Sequence, residues 1–383
     1  MNAAAASTSA SASIDGLVLR LSPGVVFTAG GDGRPRAEIA RGASTTRFSI
    51  DAHIQTFLEC FRQPRTLQQA ATTLAAQGFA PENVLQFGKA MLKTPLLEFH
   101  DEALPVPDAQ DILEQAGLEL LTAFKDRKFD GVYQVRERGG ADRIVKLLRG
   151  PASMGVSQRV LRRLEYEYAV LRRLDRVPAV PRAGRFVAAP YPYFDMEYVA
   201  GATLTDHVMA RRSWPERTAL ARQALTALAA VHACGVIHGD LHTSNFLVEP
   251  GGRLRLIDFD CSFVHGDDFV PRVGGAVHFM PPERMAADWH ALREVVPGFA
   301  SDIYQLGIIL YFILSGTPPY RGSQYAALAS AIGRGDYPAL TRSREGEPVP
   351  AALAQAVAQC MAHDPALRAS ALDPILSTFL ACA

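Results

Sequence analysis

An aspartate and an asparagine five residues apart, Asp240 and Asn245, lie in the run Val236-Ile237-His238-Gly239-Asp240-Leu241-His242-Thr243-Ser244-Asn245-Phe246-Leu247-Val248. Thirteen residues beyond Asn245 comes a second carboxylate, Asp258, in Leu256-Ile257-Asp258-Phe259-Asp260. One carboxylate can orient a hydroxyl and take its proton. An amide oxygen and a further carboxylate offer hard oxygen donors, which magnesium accepts while keeping its other positions for water and phosphate oxygens. Residue types and spacing together are those of a site for phosphoryl transfer.

Such groups act only if the chain gathers them. The chain has 383 residues, 48% hydrophobic and 20% charged, which is the composition of a folded globular protein and the length of two or three domains. From about residue 113 short alternating segments run to about residue 200. Helical periodicity dominates after Arg211, clearest over Leu220–His232 and Asp302–Leu314. Residues 113–382 are therefore expected to form a strand-rich lobe followed by a helical one. Residues 16–103 read as a separate unit. Ile54, Phe57, Leu58 and Phe61 share one helical face, Thr66 with Gln69 is a capping-box start, and Pro81 suits the first turn of a third helix. Short strands are expected at Val25–Phe27 and Arg47–Ile50 around a glycine-rich turn, with a closing strand at Leu96–Phe99. Residues 104–112, with Pro105 and Pro107, read as an extended linker. The Ala/Ser-rich residues 1–15 read as a disordered start.

With these motifs the chain resembles the eukaryotic-like (Hanks-type) protein kinase superfamily over residues 117–382. The resemblance implies an α+β, two-lobed kinase fold with a small β-rich N-lobe and a large helical C-lobe, and ATP and Mg2+ as cofactors. It implies that Asp240 is the catalytic base, that Asn245 and Asp258 hold Mg2+, and that His238 is structural. Ile144-Val145-Lys146 matches the segment ending in the phosphate-holding lysine. Glu167 is its expected helix partner, preferred to Glu165 because it precedes Leu171 by one helical turn. Met196-Glu197-Tyr198-Val199-Ala200-Gly201 resembles the hinge between the lobes. Glu197 and Val199 would then present backbone groups to adenine, with Val132 beside the nucleotide and Leu247 as its apolar floor. Met280-Pro281-Pro282-Glu283 and Asp364-Pro365-Ala366-Leu367-Arg368 imply a Glu283–Arg368 ion pair, and Asp302 is expected to support the catalytic loop backbone. These last features belong to protein-directed members and imply a protein substrate phosphorylated on serine or threonine. The order of elements in residues 16–103 resembles a small winged-helix-like α+β module, similar to the PqqD-like peptide-binding fold.

Several positions depart from the family pattern. The phosphate-covering loop is Lys125-Asp126-Arg127-Lys128-Phe129-Asp130-Gly131-Val132-Tyr133, with side chains at all three glycine positions and only the displaced Gly131 remaining. Glycine serves there by letting backbone N–H groups approach phosphate; Lys125, Arg127 and Lys128 are candidate cationic substitutes. Asp260 stands where the metal-binding triplet ends in glycine. Gly239 replaces an arginine that pairs with a phosphate on the activation segment, and residues 261–279 offer only Ser262 as a hydroxyl. The run HGDLHTSN is closer to small-molecule kinases. A small-molecule phosphotransferase and a pseudokinase scaffold therefore stay open beside the protein kinase.

Lys+Arg and Asp+Glu both number 39, which argues against a dedicated nucleic-acid binder. The longest apolar run, Leu306–Leu314, is about half a membrane span, so no span is expected. Five scattered cysteines without a CxxC pair fit a reducing compartment, and a cytoplasmic location is expected. Charge is uneven nonetheless. Arg143 to Arg185 holds 11 basic and 3 acidic residues. The N-terminal unit is net acidic, and its docking on that basic stretch is the expected intramolecular partnership.

Overall fold

The computed structural model describes residues 18–22, 24–29, 35–41, 44–91, 94, 96–100, 106–127, 129–137, 139–150, 155–210, 212–269, 276–285, 296–322, 325–368 and 372–382. The Ala/Ser-rich start and Lys128 lie outside these residues. The chain divides into two compact units, Met1–Pro105 and Val106–Ala383.

The first unit opens with β1 (Val18–Leu21) and a meander of β2 (Val25–Ala29), β3 (Pro35–Arg41) and β4 (Ser44–Ser49). Then follow α1 (Ala52–Cys60), β5 (Arg65–Thr66), α2 (Leu67–Ala75), α3 (Pro81–Met91) and β6 (Leu97–Phe99), with β1 between β5 and β6 in a second small sheet. Asp51 caps α1 through the Ile54 N–H, and Thr66 and Gln69 close the expected capping box on α2. Phe57, Leu58, Phe61, Leu67, Leu74 and Val84 fill one core. The expected single glycine-rich turn is instead a turn on each side of β3. That strand buries Ala37 and Ile39 between charged neighbours.

The second unit begins with α4 (Ala109–Gln115), where an extended linker was expected. Pro105 and Pro107 precede the helix rather than interrupt it, and Asp108 caps it by accepting the Gln110 N–H at 2.8 Å. Next come β7 (Leu118–Asp126), β8 (Asp130–Glu137), β9 (Asp142–Leu148), α5 (Gly155–Arg173), β10 (Ala183–Val187) and β11 (Tyr193–Glu197). The five strands form one antiparallel sheet in the order β10-β11-β9-β8-β7. Side-chain alternation gives it two faces. Val145, Leu147, Tyr133 and Tyr193 pack with Ile112 and Leu113 of α4. Lys146 points the other way, in a row with Lys125, Val132 and Phe194, which pair in sequence across β7, β8, β9 and β11.

The helical part holds β12 (Ala202–Thr203), α6 (Leu204–Met209), α7 (Trp214–Ala233), β13 (Val236–Ile237), β14 (Phe246–Val248), β15 (Leu254–Leu256), β16 (Phe263–Val264), α8 (Phe299–Ser315), α9 (Tyr325–Arg334), α10 (Ala351–Cys360) and α11 (Asp373–Ala381). Every residue of α8 from Ser301 to Ser315 is buried, so a helix apolar nearly all round becomes the axis of this lobe. Gly316, left-handed at φ 75°, ends it. The β-rich and helical lobes expected over residues 113–382 are present. Among the described residues no helix is long and apolar enough to cross a membrane.

Candidate functional site

The sheet and α5 meet at Lys146. Its Nζ lies 2.5 Å from Glu167 Oε1 and 2.8 Å from Asp258 Oδ1. Glu167 is buried on the inner face of α5, whereas Glu165 is exposed. Burial works against the Lys146 ammonium, but Asp258 and Glu167 outweigh it and hold its pKa well above the ordinary lysine value. Burial pushes the Glu167 carboxyl up to about 7; Lys146 opposes this, while Asp258 and Asp260 add to it. The nearby Lys146 ammonium holds Asp258 far below the usual carboxylate range. Asp258 is also the one described non-glycine residue with positive φ, at 63°. The left-handed turn therefore falls on the first residue of the Asp-Phe-Asp triplet, not on Asp260.

Below this cluster, the loop after β13 hangs from α8. Asp302 accepts the backbone N–H groups of His238 and Gly239 at 2.8 and 2.9 Å and lies 3.0 Å from His232 Nε2. Gln305, one turn on, accepts the Leu241 N–H at 3.0 Å. His238 takes the Asp240 N–H on Nδ1 and faces the Ile257 carbonyl with Nε2, which places its proton on Nε2. Its ring packs on buried Phe259. His238 is thus a strut between the Asp240 loop and the Asp258 segment.

Asp240 Oδ1 is buried and meets no hydrogen-bond donor among the described residues, as suits an acceptor aimed at a substrate hydroxyl. Asn245 donates through Nδ2 to the Asp240 carbonyl at 3.0 Å, which leaves its amide oxygen as a donor to a cation. The Asp258 side chain keeps 45% exposure beyond its bond to Lys146. Among the described residues no three or more His, Cys, Asp or Glu side chains are gathered to cage a metal. An amide oxygen and one or two carboxylates fit Mg2+, which takes few protein ligands and completes its shell with water and phosphate.

Val132 is half-buried directly opposite Lys146, and Leu247 is half-buried between Phe246 and Val248, which point into the core. The Glu197 N–H is taken by the Arg182 carbonyl at 2.9 Å. The Glu197 side chain binds Arg255 at 2.7 and 2.9 Å, tying β11 to β15. Of its backbone groups, only the Glu197 carbonyl is left for an adenine. Val199 is buried at 6% exposure.

The phosphate-covering hairpin is pinned. Buried Arg149, one residue beyond β9, donates from Nη2 to Asp126 Oδ1 at 2.6 Å and to the Arg127 carbonyl, and its N–H bonds the Phe129 carbonyl at 2.8 Å. Tyr133 donates to the same Asp126 oxygen at 2.7 Å, and Gly131 makes room for its phenol, since a Cβ there would lie 2.1 Å from the hydroxyl oxygen. A cavity of about 100 Å³ beneath the hairpin is lined by Lys125, Arg127, Lys146, Arg163, Glu167 and Asp260 among others. Cations thus surround the place where glycine N–H groups are lacking.

Sequence reasoning named Lys146, Glu167, Asp240, Asn245, Asp258 and Asp302, and the structure brings them together. It missed Gln305, Arg149 and Arg255. Gln305 was within reach, because it shares a helix face with Asp302.

A family model described as "Protein kinase domain" matches residues 129–380. Calcium/calmodulin-dependent protein kinase type 1B of Rattus norvegicus is 29% identical over 220 residues, covering 55% of this chain and 60% of that protein. Calcium/calmodulin-dependent protein kinase type 1 of Caenorhabditis elegans is 30% identical over 179 residues, 45% of this chain and 49% of that one. Serine/threonine-protein kinase PknE of Mycobacterium tuberculosis is 32% identical over 180 residues, 45% of this chain and 30% of PknE. The matched stretch spans between about a third and three-fifths of these relatives' lengths.

Proposed function

The chain belongs to the protein kinase family, and from that premise we propose that it is an ATP- and Mg2+-dependent kinase acting on serine or threonine of a protein. The observation that carries the reading is the Lys146–Glu167–Asp258 cluster beside the Asp240–Asn245 loop. Lys146, held by Glu167, would anchor nucleotide phosphates. Asn245 and Asp258 would hold Mg2+, which when bound supplies charge neutralisation of the phosphates. Asp240 would accept the proton of the acceptor hydroxyl and orient its oxygen for in-line attack, so that catalysis is mostly positioning and electrostatics. The Glu283–Arg368 pair, as in protein-directed members, supports a protein acceptor.

The test is transfer of labelled γ-phosphate to a protein acceptor. Asp240→Asn and Asp258→Ala should each abolish it with unchanged circular dichroism; near-wild-type turnover in either refutes the assignment. The occupied glycine positions favour one second reading, a pseudokinase scaffold. Millimolar Mg-ATP should raise the melting temperature of a nucleotide-binding protein by mass action, and no shift favours the scaffold. A panel of sugars and aminoglycosides beside the protein acceptor tests the small-molecule alternative. All five cysteines are free, which supports a cytoplasmic setting. Regulation by the acidic N-terminal unit rests on charge alone, and removing residues 1–105 tests it through the phosphotransfer rate.

A further inference from the structure

Tyr166 immediately precedes Glu167 on α5. Its ring lies flat on Phe269, with centroids 3.6 Å apart and planes 4° from parallel. Its hydroxyl donates to Asp267 Oδ2 at 2.8 Å and accepts the Val264 N–H at 3.0 Å. Three residues of the segment that follows the metal triplet therefore converge on one side chain of the helix that carries Glu167. Val264 lies in β16, paired with Val236 and Ile237 through the β13 ladder, and the next residue after Ile237 is His238 of the Asp240 loop. One phenol thus joins the Lys146–Glu167 pair to the catalytic loop.

The same region lacks the means for control by phosphate. At the position where a phosphate-binding arginine would stand, Gly239 has φ 79°, and a Cβ there would lie 2.7 Å from the Cys261 carbonyl oxygen. Ser262 is the single hydroxyl residue between 261 and 279, is 2% exposed, and donates its Oγ hydrogen to the His238 carbonyl at 3.0 Å. A kinase cannot reach that hydroxyl while the strand stays in place.

We propose that Tyr166 is a positioning residue that holds residues 261–269 against α5 without phosphorylation, so that Glu167 stays on Lys146. This rests on the kinase reading for its consequence in catalysis, though not for the contact itself. The ring supplies apolar stacking, which water does not weaken, and the hydroxyl supplies one donor and one acceptor in fixed directions.

The experiment uses the full chain, Mg-ATP and a protein acceptor, well below the melting temperature. Wild type treated with a broad-specificity phosphatase and repurified should keep its kcat. Tyr166→Phe keeps the stack and loses both hydrogen bonds; it should raise the KM for ATP and lower kcat, with kcat/KM falling about tenfold. Asp267→Asn, which retains an acceptor, should stay near wild type, whereas Asp267→Ala should follow Tyr166→Phe. Exchange of the Val264 amide should quicken about tenfold in Tyr166→Phe. Phosphatase-sensitive wild-type activity overturns the proposal, and so does wild-type behaviour of Tyr166→Phe in both kinetics and exchange. A wild type that transfers no phosphate sinks the kinase reading instead. In that event the Val264 exchange decides by itself whether Tyr166 holds the segment, faster exchange supporting it and unchanged exchange overturning it.

Discussion

Arg368 meets Glu283 fork to fork, with Nη1 2.8 Å from Oε1 and Nη2 2.7 Å from Oε2. The arginine is fully buried and the glutamate side chain 20% exposed. Bidentate pairing of this kind fixes direction as well as distance. It fastens Met280–Glu283 to the far end of the helical lobe.

Breaking that pair by Glu283→Ala leaves the Arg368 charge buried and should destabilise the unit by about 3 kcal/mol, the low end for a buried pair. Burial alone would push the Glu283 carboxyl up, but the bonds from Arg368 and Ser301 bring it below its ordinary 4.5. Its contribution is therefore present above pH 4.5 and is lost as pH falls through the lowered folded value. Thermal melts of wild type and Glu283→Gln should differ at pH 6 and converge on acidification; a gap that persists at the lowest pH contradicts the assignment.

Glu167, held up to about 7, should take a proton as pH falls through that value. Protonation weakens its hold on Lys146. The kcat/KM for ATP should then fall below about pH 7, and Glu167→Gln should be low and flat across the same range. A mutant profile that keeps the wild-type inflection would assign it to another group.

Arg149 does for the hairpin what glycine cannot do there. Arg149→Ala frees Asp126 and two carbonyls at once, so it should lower stability by about 1–3 kcal/mol and raise the KM for ATP more than it lowers kcat. A double-mutant cycle with Asp126→Asn should show coupling, because both act through one bond. Additive effects would show the tether to be idle.

Gly239 should not accept the arginine that the family pattern places there. Gly239→Ala already puts a Cβ against the Cys261 carbonyl and a side chain at φ 79°, and should cost about 1–2 kcal/mol or more in urea unfolding. Gly239→Arg should be no more active and no more phosphatase-sensitive than wild type. Gain of either property would show that the segment rearranges freely.

The site was legible where chemistry compels residue types at short spacing, as in Asp240, Asn245 and Asp258. It was legible too where helix geometry chose between neighbours, as with Glu167 over Glu165. Pairs between distant residues left no such trace: Tyr166 and Asp267 are 101 positions apart, and Glu197 and Arg255 are 58 apart. Polar side chains of this kind read as surface until the fold brings a partner. Two elements were also misjudged. Prolines before α4 were taken to forbid a helix that starts after them, and β3 was hidden because glycines on both sides of it read as one turn.

The family match begins at Phe129, inside the β7–β8 turn, whereas the folded unit begins at Val106. A gene fragment trimmed to the match would lose α4 and β7. It would bare Tyr133, Val135, Val145, Leu147 and Tyr193 and turn β8 into an open edge. Water-exposed apolar faces and unpaired edges drive chains together. Insolubility of such a fragment would then be a matter of cloning boundaries, and a fragment from residue 106 onward should stay in solution.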